Sequence, residues 1–141
     1  MNGSGRRFVI GFDGARASLA ALRAAVAMAE PPDSLTVIHA YWIPPEVRYY
    51  EFFDDVEHKF AEVGHEVLEP AKRELSKSGL TVDYEALPGK AADVLRSVAG
   101  ERGASLLVVG THGESRVRSA LGSVTHKLLH DPPCPVLVVP S

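Results

Sequence analysis

Hydrophobic residues occur along the chain in short, nearly unbroken runs that are too brief to form helices. Four such runs are rich in Val, Ile and Leu, and they cover Phe8–Phe12, Leu35–Tyr41, Ser105–Val109 and Val136–Val139. Runs of this kind are typical of strands that are buried on both faces of a parallel sheet. A fifth segment, Thr81–Ala86, alternates apolar and polar residues, which indicates an edge strand with one wetter face.

Helical patterns fill the intervals between the predicted strands. Four helices are predicted, over Ser18–Glu30, about Asp54–Lys77, Ala91–Arg102 and Ser123–His130. Strands and helices that alternate in this way, joined by right-handed crossovers, form a parallel sheet with helices on both faces. The sequence therefore predicts a doubly wound α/β domain, in which ligands bind outside the carboxyl ends of the strands where the strand order reverses.

The second predicted helix has the clearest amphipathic spacing. Its apolar residues recur every three or four positions and form one stripe, made of Phe53, Val56, Phe60, Val63 and Val67. The acidic residues of this helix are predicted to face outward, and they are Glu57, Glu62 and Glu66. Pro70 lies inside the same pattern and removes a helical hydrogen bond, so a kink or a restart is predicted there.

The composition is that of an ordinary globular domain. The chain has 141 residues, of which 45% are hydrophobic and 23% charged, and a chain of this length is able to bury a core without disulfides or metals. We expect a single domain over residues 6–141, preceded by a flexible segment over residues 1–5. The single cysteine, Cys134, excludes an intrachain disulfide and fits a reducing compartment, so a cytoplasmic location is expected.

The charge balance argues against a nucleic-acid partner. The chain has 15 Lys and Arg against 18 Asp and Glu, which gives a formal net charge of -3 and a pI of about 6.0. Such a protein has no general attraction to a phosphate backbone. No apolar run approaches the ~18 to 20 residues that a membrane-spanning helix needs. The sequence thus indicates neither a nucleic-acid-binding protein nor a membrane-embedded one.

The segment after the fourth predicted strand has the composition of an anion site. It reads Gly110-Thr111-His112-Gly113, continues through Glu114–Leu121, and reaches Gly122-Ser123 at the start of a helix. Glycines three apart allow backbone N–H groups to converge on one concavity, and a helix N-terminus adds free amides. A glycine-rich turn followed by a capped helix explains the same residues without a ligand. Both interpretations stay open at this point.

Asp13 stands directly after the first predicted strand, in Gly11-Phe12-Asp13-Gly14. At that place a carboxylate is able to accept hydrogen bonds from ribose hydroxyls or from an adenine amino group. The alternative is a structural one, because Asp is also a preferred helix cap.

These residues together resemble a known family. From Arg7 to Pro140 the chain is similar to single-domain universal stress proteins, and the first matching part is the strand that ends in Asp13, with Ser18 after it. The second part is Leu87-Pro88-Gly89-Lys90-Ala91-Ala92, which leads through a helix into Leu106-Leu107-Val108-Val109-Gly110. The third and most specific part joins Gly110-Thr111-His112-Gly113 to Gly122-Ser123-Val124-Thr125 and to Cys134-Pro135-Val136-Leu137-Val138-Val139.

The resemblance implies a five-stranded parallel sheet of order 3-2-1-4-5, of the adenine nucleotide alpha hydrolase-like type. It also implies a site for ATP or AMP, with magnesium as an open question, in a stress-response binding module rather than an enzyme. The implied nucleotide-binding residues are Asp13, Ala40, Val109, Gly110, Gly113, Gly122, Ser123 and Val124. Members of the family usually pair as homodimers through the last strand, here Val136–Val139.

The resemblance also assigns parts of the nucleotide to particular residues. Asp13 would hold the ribose or adenine end, and the backbone at Ala40 would face adenine. Gly110 and Gly113 would line the phosphates, together with the amides of residues 122–124 and the Ser123 hydroxyl.

Two alternatives to this function stay open. The loop Glu114–Leu121 is one residue shorter than in the nucleotide-binding members, so a protein of the same fold that binds no nucleotide is the second hypothesis. Such a protein would bind a partner through its aromatic segment, residues 41–53, unless those rings pack on the protein's own sheet edge. The six aromatic residues of the segment are Tyr41, Trp42, Tyr49, Tyr50, Phe52 and Phe53. The third hypothesis is slow ATP hydrolysis, with His112 orienting the water.

Other chemistry finds no support in the sequence. His126 and His130 share a helix face, as do His58 and His65, but no third ligand completes a zinc site. Cys134 is predicted to be a packing residue rather than a nucleophile. The glycine and serine spacings that mark esterases, Walker loops and dinucleotide-binding folds are not present.

Overall fold

The structure is a computed structural model that describes residues 5–112 and 121–141. Within these residues, strands and helices alternate along the chain, and a short 3-10 helix, Pro45–Tyr49, follows the second strand. The strands are β1 Arg7–Gly11, β2 Ser34–Tyr41, β3 Thr81–Pro88, β4 Leu106–Gly110 and β5 Val136–Val139. The helices are α1 Arg16–Met28, α2 Phe53–Val67, α3 Glu69–Leu75, α4 Ala91–Glu101 and α5 Ser123–His130. The segment expected to be flexible lies, apart from Gly5, outside the described residues.

All neighbouring strands pair in parallel, and the order is β3-β2-β1-β4-β5. β1 lies in the middle of the sheet, where Val9 pairs with Thr36 of β2 on one side and with Leu107 of β4 on the other. The chain therefore builds outward from β1 to β3 and then returns to the opposite side of β1. This confirms the predicted doubly wound fold, and it places the reversal of strand order between β1 and β4.

Side chains that alternate along the strands divide the interior into two apolar layers. On one face, Phe8 and Ile10 pack with α1 and with the region of α3, and on the other face Val9 packs with α4 and α5. None of these three side chains is more than 2% exposed. Because the central strands are covered on both faces, their sequences are apolar without alternation.

The ends of the helices follow from the positions of proline. α1 ends at Met28, two residues before the predicted end, because Pro31 disfavours helical backbone in the residue that precedes it. Leu68 separates α2 from α3, and Pro70 lies in the first turn of α3. Proline is tolerated there because the N–H groups of a first turn have no helical acceptor, so the N–H that proline lacks costs no hydrogen bond. The restart predicted at Pro70 is confirmed.

The apolar stripe predicted for α2 is wrong at one position. Val63 is 50% exposed, whereas Gly64 is buried. A Cβ atom added at Gly64 would lie 2.8 Å from Cδ1 of Tyr41, so glycine allows α2 to pack closely on the end of β2. The buried face of α2 therefore runs through a residue with no side chain, which hydrophobic spacing does not reveal.

Candidate functional site

A cavity of about 290 Å³ lies at the carboxyl edge of the sheet, where the strand order reverses between β1 and β4. The ends of three strands meet the first turns of α4 and α5 there. The lining residues are Gly11, Phe12, Asp13, Ser18, Ile38, His39, Ala40, Ala91, Leu95, Val109, Gly110, His112, Gly122, Ser123, Val124 and Thr125. This is the place at which doubly wound sheets bind their ligands.

Most of the residues implied for nucleotide binding line this one cavity. Seven of the eight do so, and they are Asp13, Ala40, Val109, Gly110, Gly122, Ser123 and Val124. The eighth, Gly113, lies outside the described residues. The fold thus brings together residues from the ends of β1, β2 and β4 and from the start of α5.

Asp13 closes the turn before the first helix with one of its two carboxylate oxygens. Its Oδ1 accepts a hydrogen bond from the Ala15 N–H at 2.9 Å. Ala15 is the N-cap residue of α1 and has no side chain that could cap the helix itself. Oδ1 therefore closes the turn that leads into α1, which is a structural role but not a helix cap, since among the described residues no side chain caps α1. For Oδ2 no hydrogen-bond partner is found among residues 5–112 and 121–141, so this oxygen is available to a ligand.

Ser18 holds the turn that carries Asp13. Its hydroxyl accepts a hydrogen bond from the Asp13 N–H at 3.2 Å and donates one to the Ala15 carbonyl at 3.0 Å. The residue is only 6% exposed. Ser18, which also lines the cavity, therefore holds the backbone turn that carries Asp13.

The backbone of Ala40 is directed to the open space beyond the end of β1. Phe12 N–H donates to the Ile38 carbonyl at 2.8 Å, and Gly89 N–H donates to the Tyr41 carbonyl at 2.8 Å. Alternate residues of a strand bond to opposite neighbours, so Ala40, like Ile38, turns its N–H and C=O toward the β1 side. β1 has already ended at Gly11. In the described part of the chain, no backbone hydrogen bond joins Ala40 to Phe12 or to the turn after it.

Two histidine side chains also line the cavity. His39 Nδ1 lies 3.0 Å from the Phe12 carbonyl oxygen. Since a carbonyl only accepts, Nδ1 carries the proton in this contact, and Nε2 of the neutral ring is an acceptor. His112 Nδ1 lies 3.0 Å from Oγ1 of Thr111. The Phe12 carbonyl, which would otherwise continue the β1–β2 ladder toward Ala40, is thus bonded to a side chain.

Gly110 lies at the cavity, but packing explains the glycine. A Cβ atom there would lie 2.6 Å from Cβ of Ala17 and 2.7 Å from its carbonyl carbon, so only glycine allows α1 to approach β4 this closely. The Gly110 carbonyl accepts a hydrogen bond from the buried Thr125 hydroxyl at 2.7 Å, which ties β4 to the first turn of α5. The role implied for Gly110 in lining phosphates stays a prediction.

The N-terminus of α5 presents backbone amides to the cavity. Gly122 is the N-cap residue, and no side chain caps the helix. The first helical bond is donated by His126 N–H to the Gly122 carbonyl at 2.9 Å, so the amides of residues 123–125 have no helical partner. The Gly122 N–H donates instead to the Thr111 carbonyl at 2.7 Å. The amide of Gly122 already donates within the chain, whereas those of Ser123, Val124 and Thr125 have no backbone acceptor among residues 5–112 and 121–141. The role implied for Gly122 in binding stays a prediction.

The sequence did not single out the part of the site that α4 supplies. Ala91 in its first turn and Leu95 in its second line the cavity. The signal for them is topological, because each helix after a parallel strand begins at the same edge of the sheet as the ligand site. The residues implied for nucleotide binding follow β1, β2 and β4, whereas α4 begins after β3, where the sequence supplied only a stretch of the family resemblance, residues 87–92.

Most of the aromatic segment does not pack on the protein's own sheet. The exposed fractions are 50% for Trp42, 90% for Tyr49, 60% for Tyr50 and 66% for Phe52. Tyr41 and Phe53 are half-buried and fit the packing interpretation; the Tyr41 ring contacts α2 at Gly64, and burial raises its pKa. The other four rings are available at the surface.

Cys134 is half-buried against the layer that contains α4 and α5. Burial raises the pKa of its thiol, which favours a packing role over a reactive one. In the described part of the chain, no three His, Cys, Asp or Glu residues are grouped to hold a metal ion. No helix in residues 5–112 or 121–141 has the length and apolar character needed to cross a membrane.

Comparisons with known proteins agree with this geometry. The model of the universal stress protein family matches residues 5–140. The universal stress protein YxiE of Bacillus subtilis is 30% identical to this chain, and the alignment covers 94% of the chain and 97% of YxiE.

Solved structures share the fold over nearly the whole chain. Protein MJ0577 superposes with a TM-score of 0.84 at 23% identity, covering 96% of both chains. A universal stress protein solved in complex with cAMP superposes with a TM-score of 0.71 at 27% identity, covering 95% of this chain and 96% of that one. The fold is therefore the adenine nucleotide alpha hydrolase-like fold that the sequence predicted.

Proposed function

The chain belongs to the universal stress protein family, and we propose on that basis that it binds an adenine nucleotide, ATP or AMP, in the cavity between the ends of β1 and β4. The observation that carries the proposal is the convergence of seven implied binding residues on one cavity at the strand-order reversal. The relative solved with cAMP supports an adenine ligand for this kind of protein.

Each part of the nucleotide has matching chemistry in the cavity. The N–H and C=O of Ala40 form a donor and acceptor pair, which complements the ring nitrogen and amino group on one edge of adenine. The free Oδ2 of Asp13 suits a ribose hydroxyl. The amides of residues 123–125 and the dipole of α5 suit the phosphates.

We propose that the protein acts as a binding module in the cytoplasm rather than as an enzyme. His112 is the one group the sequence suggested for orienting a water, and its Nδ1 is directed at Thr111. A bound nucleotide would act by changing how the protein meets a partner. We also propose a homodimer through β5, whose outer edge carries backbone groups that β4 does not use.

The first experiment asks whether the protein carries or binds a nucleotide. Freshly purified protein is denatured and the supernatant is analysed by ion-exchange chromatography, and stripped protein is titrated with ATP and AMP by calorimetry, with and without magnesium. We expect micromolar affinity, about -8 kcal/mol. An empty protein that ignores millimolar ATP and AMP would overturn the proposal and favour the hypothesis in which the short 114–121 loop has abolished binding.

Two variants assign binding to this cavity. Asp13→Asn keeps the oxygen that accepts from the Ala15 N–H and removes the charged acceptor, so affinity for ATP falls about tenfold or more while folding is preserved. Ser123→Glu places a negative charge in the first turn of α5, which stabilises the helix by about 0.3 to 1 kcal/mol and repels phosphate. Weaker ATP binding in a protein with an unchanged or higher Tm is therefore expected.

The control for both variants is Asp83→Asn on the exposed edge of β3. It removes one carboxylate far from the cavity and should leave ATP affinity unchanged. If Asp13→Asn and Ser123→Glu bind ATP as tightly as the control, the site has been misassigned even if the protein binds ATP.

A further inference from the structure

The aromatic segment contributes to a surface that the nucleotide site does not use. We define the aromatic-acidic surface as residues 46–57, which span the 3-10 helix and the first turns of α2. Of its four rings, Phe53 is half-buried, and the exposed ones are Tyr49, Tyr50 and Phe52, with exposed fractions of 90%, 60% and 66%. Their Cα atoms are separated by at most about 11 Å, since consecutive Cα atoms are 3.8 Å apart. Large exposed rings concentrated in this way mark interaction sites.

Carboxylates surround these rings. Residues 46–57 hold five acidic residues and one basic residue, a formal charge of -4, whereas the whole chain has a charge of -3. The acidic residues are Glu46, Glu51, Asp54, Asp55 and Glu57, and all are exposed. None of them forms a salt bridge within residues 5–112 and 121–141. The negative charge of the protein is therefore concentrated beside the exposed rings, and the described cations do not neutralise it.

Lys90 and Trp42 form a cation–ring contact within the chain, and Trp42 lies next to this surface in the sequence. Nζ of Lys90 lies 5.5 Å from the centroid of the Trp42 ring, and Trp42 is half-exposed four positions before Glu46. An ammonium group in this position is attracted by the negative face of the ring. A guanidinium group gains more at such a surface, because it stacks flat on an aromatic ring and pairs with a carboxylate through two hydrogen bonds.

We propose that the aromatic-acidic surface binds an arginine-rich segment of another protein. Arginine side chains of that segment stack on Tyr49, Tyr50 and Phe52 and pair with the neighbouring carboxylates. The charge of -4 opposes nucleic acid and anionic membranes, and it opposes a second copy of this chain related by a two-fold axis, because equal charges would face each other. The proposal does not depend on nucleotide binding.

The test uses the full chain and an octa-arginine peptide with blocked ends. Trp42 is the single tryptophan of the protein, so its fluorescence reports occupancy of the adjoining surface, and calorimetry measures the affinity. Octa-lysine carries the same charge without planar guanidinium groups and is expected to bind several-fold more weakly. An uncharged octapeptide rich in leucine is the probe for a purely apolar surface.

Two variants separate stacking from charge. The double variant Tyr49→Ser with Phe52→Ser keeps every charge and should weaken octa-arginine binding about tenfold or more. The double variant Glu46→Gln with Glu51→Gln keeps every ring and should weaken binding by a similar factor. The matched controls are Val63→Ser, an exposed apolar residue of α2, and Glu62→Gln with Glu66→Gln on the same helix. These controls should bind like the unmodified protein.

Several results would overturn the proposal. One is equal octa-arginine affinity in the ring variant and in the controls, which would mean unspecific attraction to an acidic protein. Another is tighter binding of the leucine-rich peptide, which would mean an apolar partner. A third is self-association of the unmodified protein that is lost in the ring variant, because it would make a second copy the occupant.

Discussion

Asp33 ties the start of β1 to the end of α1 through a single buried carboxylate. It is 5% exposed, its Oδ1 accepts from the Arg6 N–H at 2.7 Å, and its Oδ2 accepts from the Arg6 side chain and from the Glu30 N–H. The Arg6 side chain, followed by the two backbone amides, lowers the pKa of Asp33 from 3.8 to about 2. Arg6 also donates to the Met28 carbonyl at the end of α1.

The replacement Asp33→Asn should lower the Tm by several degrees at neutral pH. Because the folded-state pKa lies below the unfolded value, the charged form stabilises the fold above about pH 4, and this contribution is lost as the pH falls from about 4 to 2. The free energy of unfolding of the unmodified protein should therefore exceed that of Asp33→Asn by a constant amount near neutrality. This difference should decrease as the pH falls from about 4 to 2. Urea denaturation at a series of pH values measures it.

Asp83→Asn is the control for that series, since Asp83 accepts no hydrogen bond within residues 5–112 and 121–141. Its stability should follow that of the unmodified protein throughout. A difference between Asp33→Asn and the unmodified protein that does not narrow in acid would contradict the stabilising role of the ionised carboxylate.

At the scale of the elements, two helical glycines differ in the space that surrounds them. A Cβ atom at Gly64 of α2 would lie 2.8 Å from the Tyr41 ring, whereas one at Gly100 of α4 would meet nothing within 4 Å. Gly64 is buried and Gly100 is exposed. Gly64 is therefore required for the close packing of α2 on Tyr41, whereas at Gly100 there is room for a side chain.

Alanine should therefore have opposite effects at the two positions. Gly100→Ala should stabilise the protein by about 0.5 to 1 kcal/mol, because alanine loses less backbone entropy in a helix. Gly64→Ala should destabilise it by about 1 to 2 kcal/mol, because the Tyr41 ring must move. Thermal and urea unfolding compare the two. In a Tyr41→Ala background the cost of Gly64→Ala should disappear, and a persistent cost would mean that the ring is not its cause.

At the scale of the whole molecule, the outer edge of β5 bears on the homodimer proposed above. Leu107 N–H donates to the Pro135 carbonyl, and Thr111 N–H donates to the Val139 carbonyl. By the alternation of bonding along a strand, Leu137 is bonded to β4 as well, and Val138 turns its N–H and C=O to the open side. All four residues of β5 are only partly buried in the single chain.

The variant Val138→Pro should therefore yield a folded monomer. It removes an N–H from the outer edge of the sheet, where proline is tolerated, and with it a bond that a second copy would use. Leu137→Pro removes an N–H that bonds to β4 and should unfold the protein. Sedimentation velocity and circular dichroism separate these outcomes. A Val138→Pro protein that remains a dimer would exclude β5 as the interface.

The sequence by itself determined the order of strands and helices, the break at Pro70 and the family, because these depend on local periodicity, on backbone limits of single residues and on short motifs. It also located most of the candidate site, since Asp13 comes shortly after a recognisable strand and Ser123 comes directly after the glycine that begins a recognisable helix. The tertiary structure alone decided which polar groups are free. The Gly122 N–H bonds to the Thr111 carbonyl, the Ala40 backbone has no bond toward the β1 side among the described residues, and Gly64 rather than Val63 lies on the buried face of α2. The physical reason is that hydrogen-bond partners and close approaches depend on which distant segments pair and in which register.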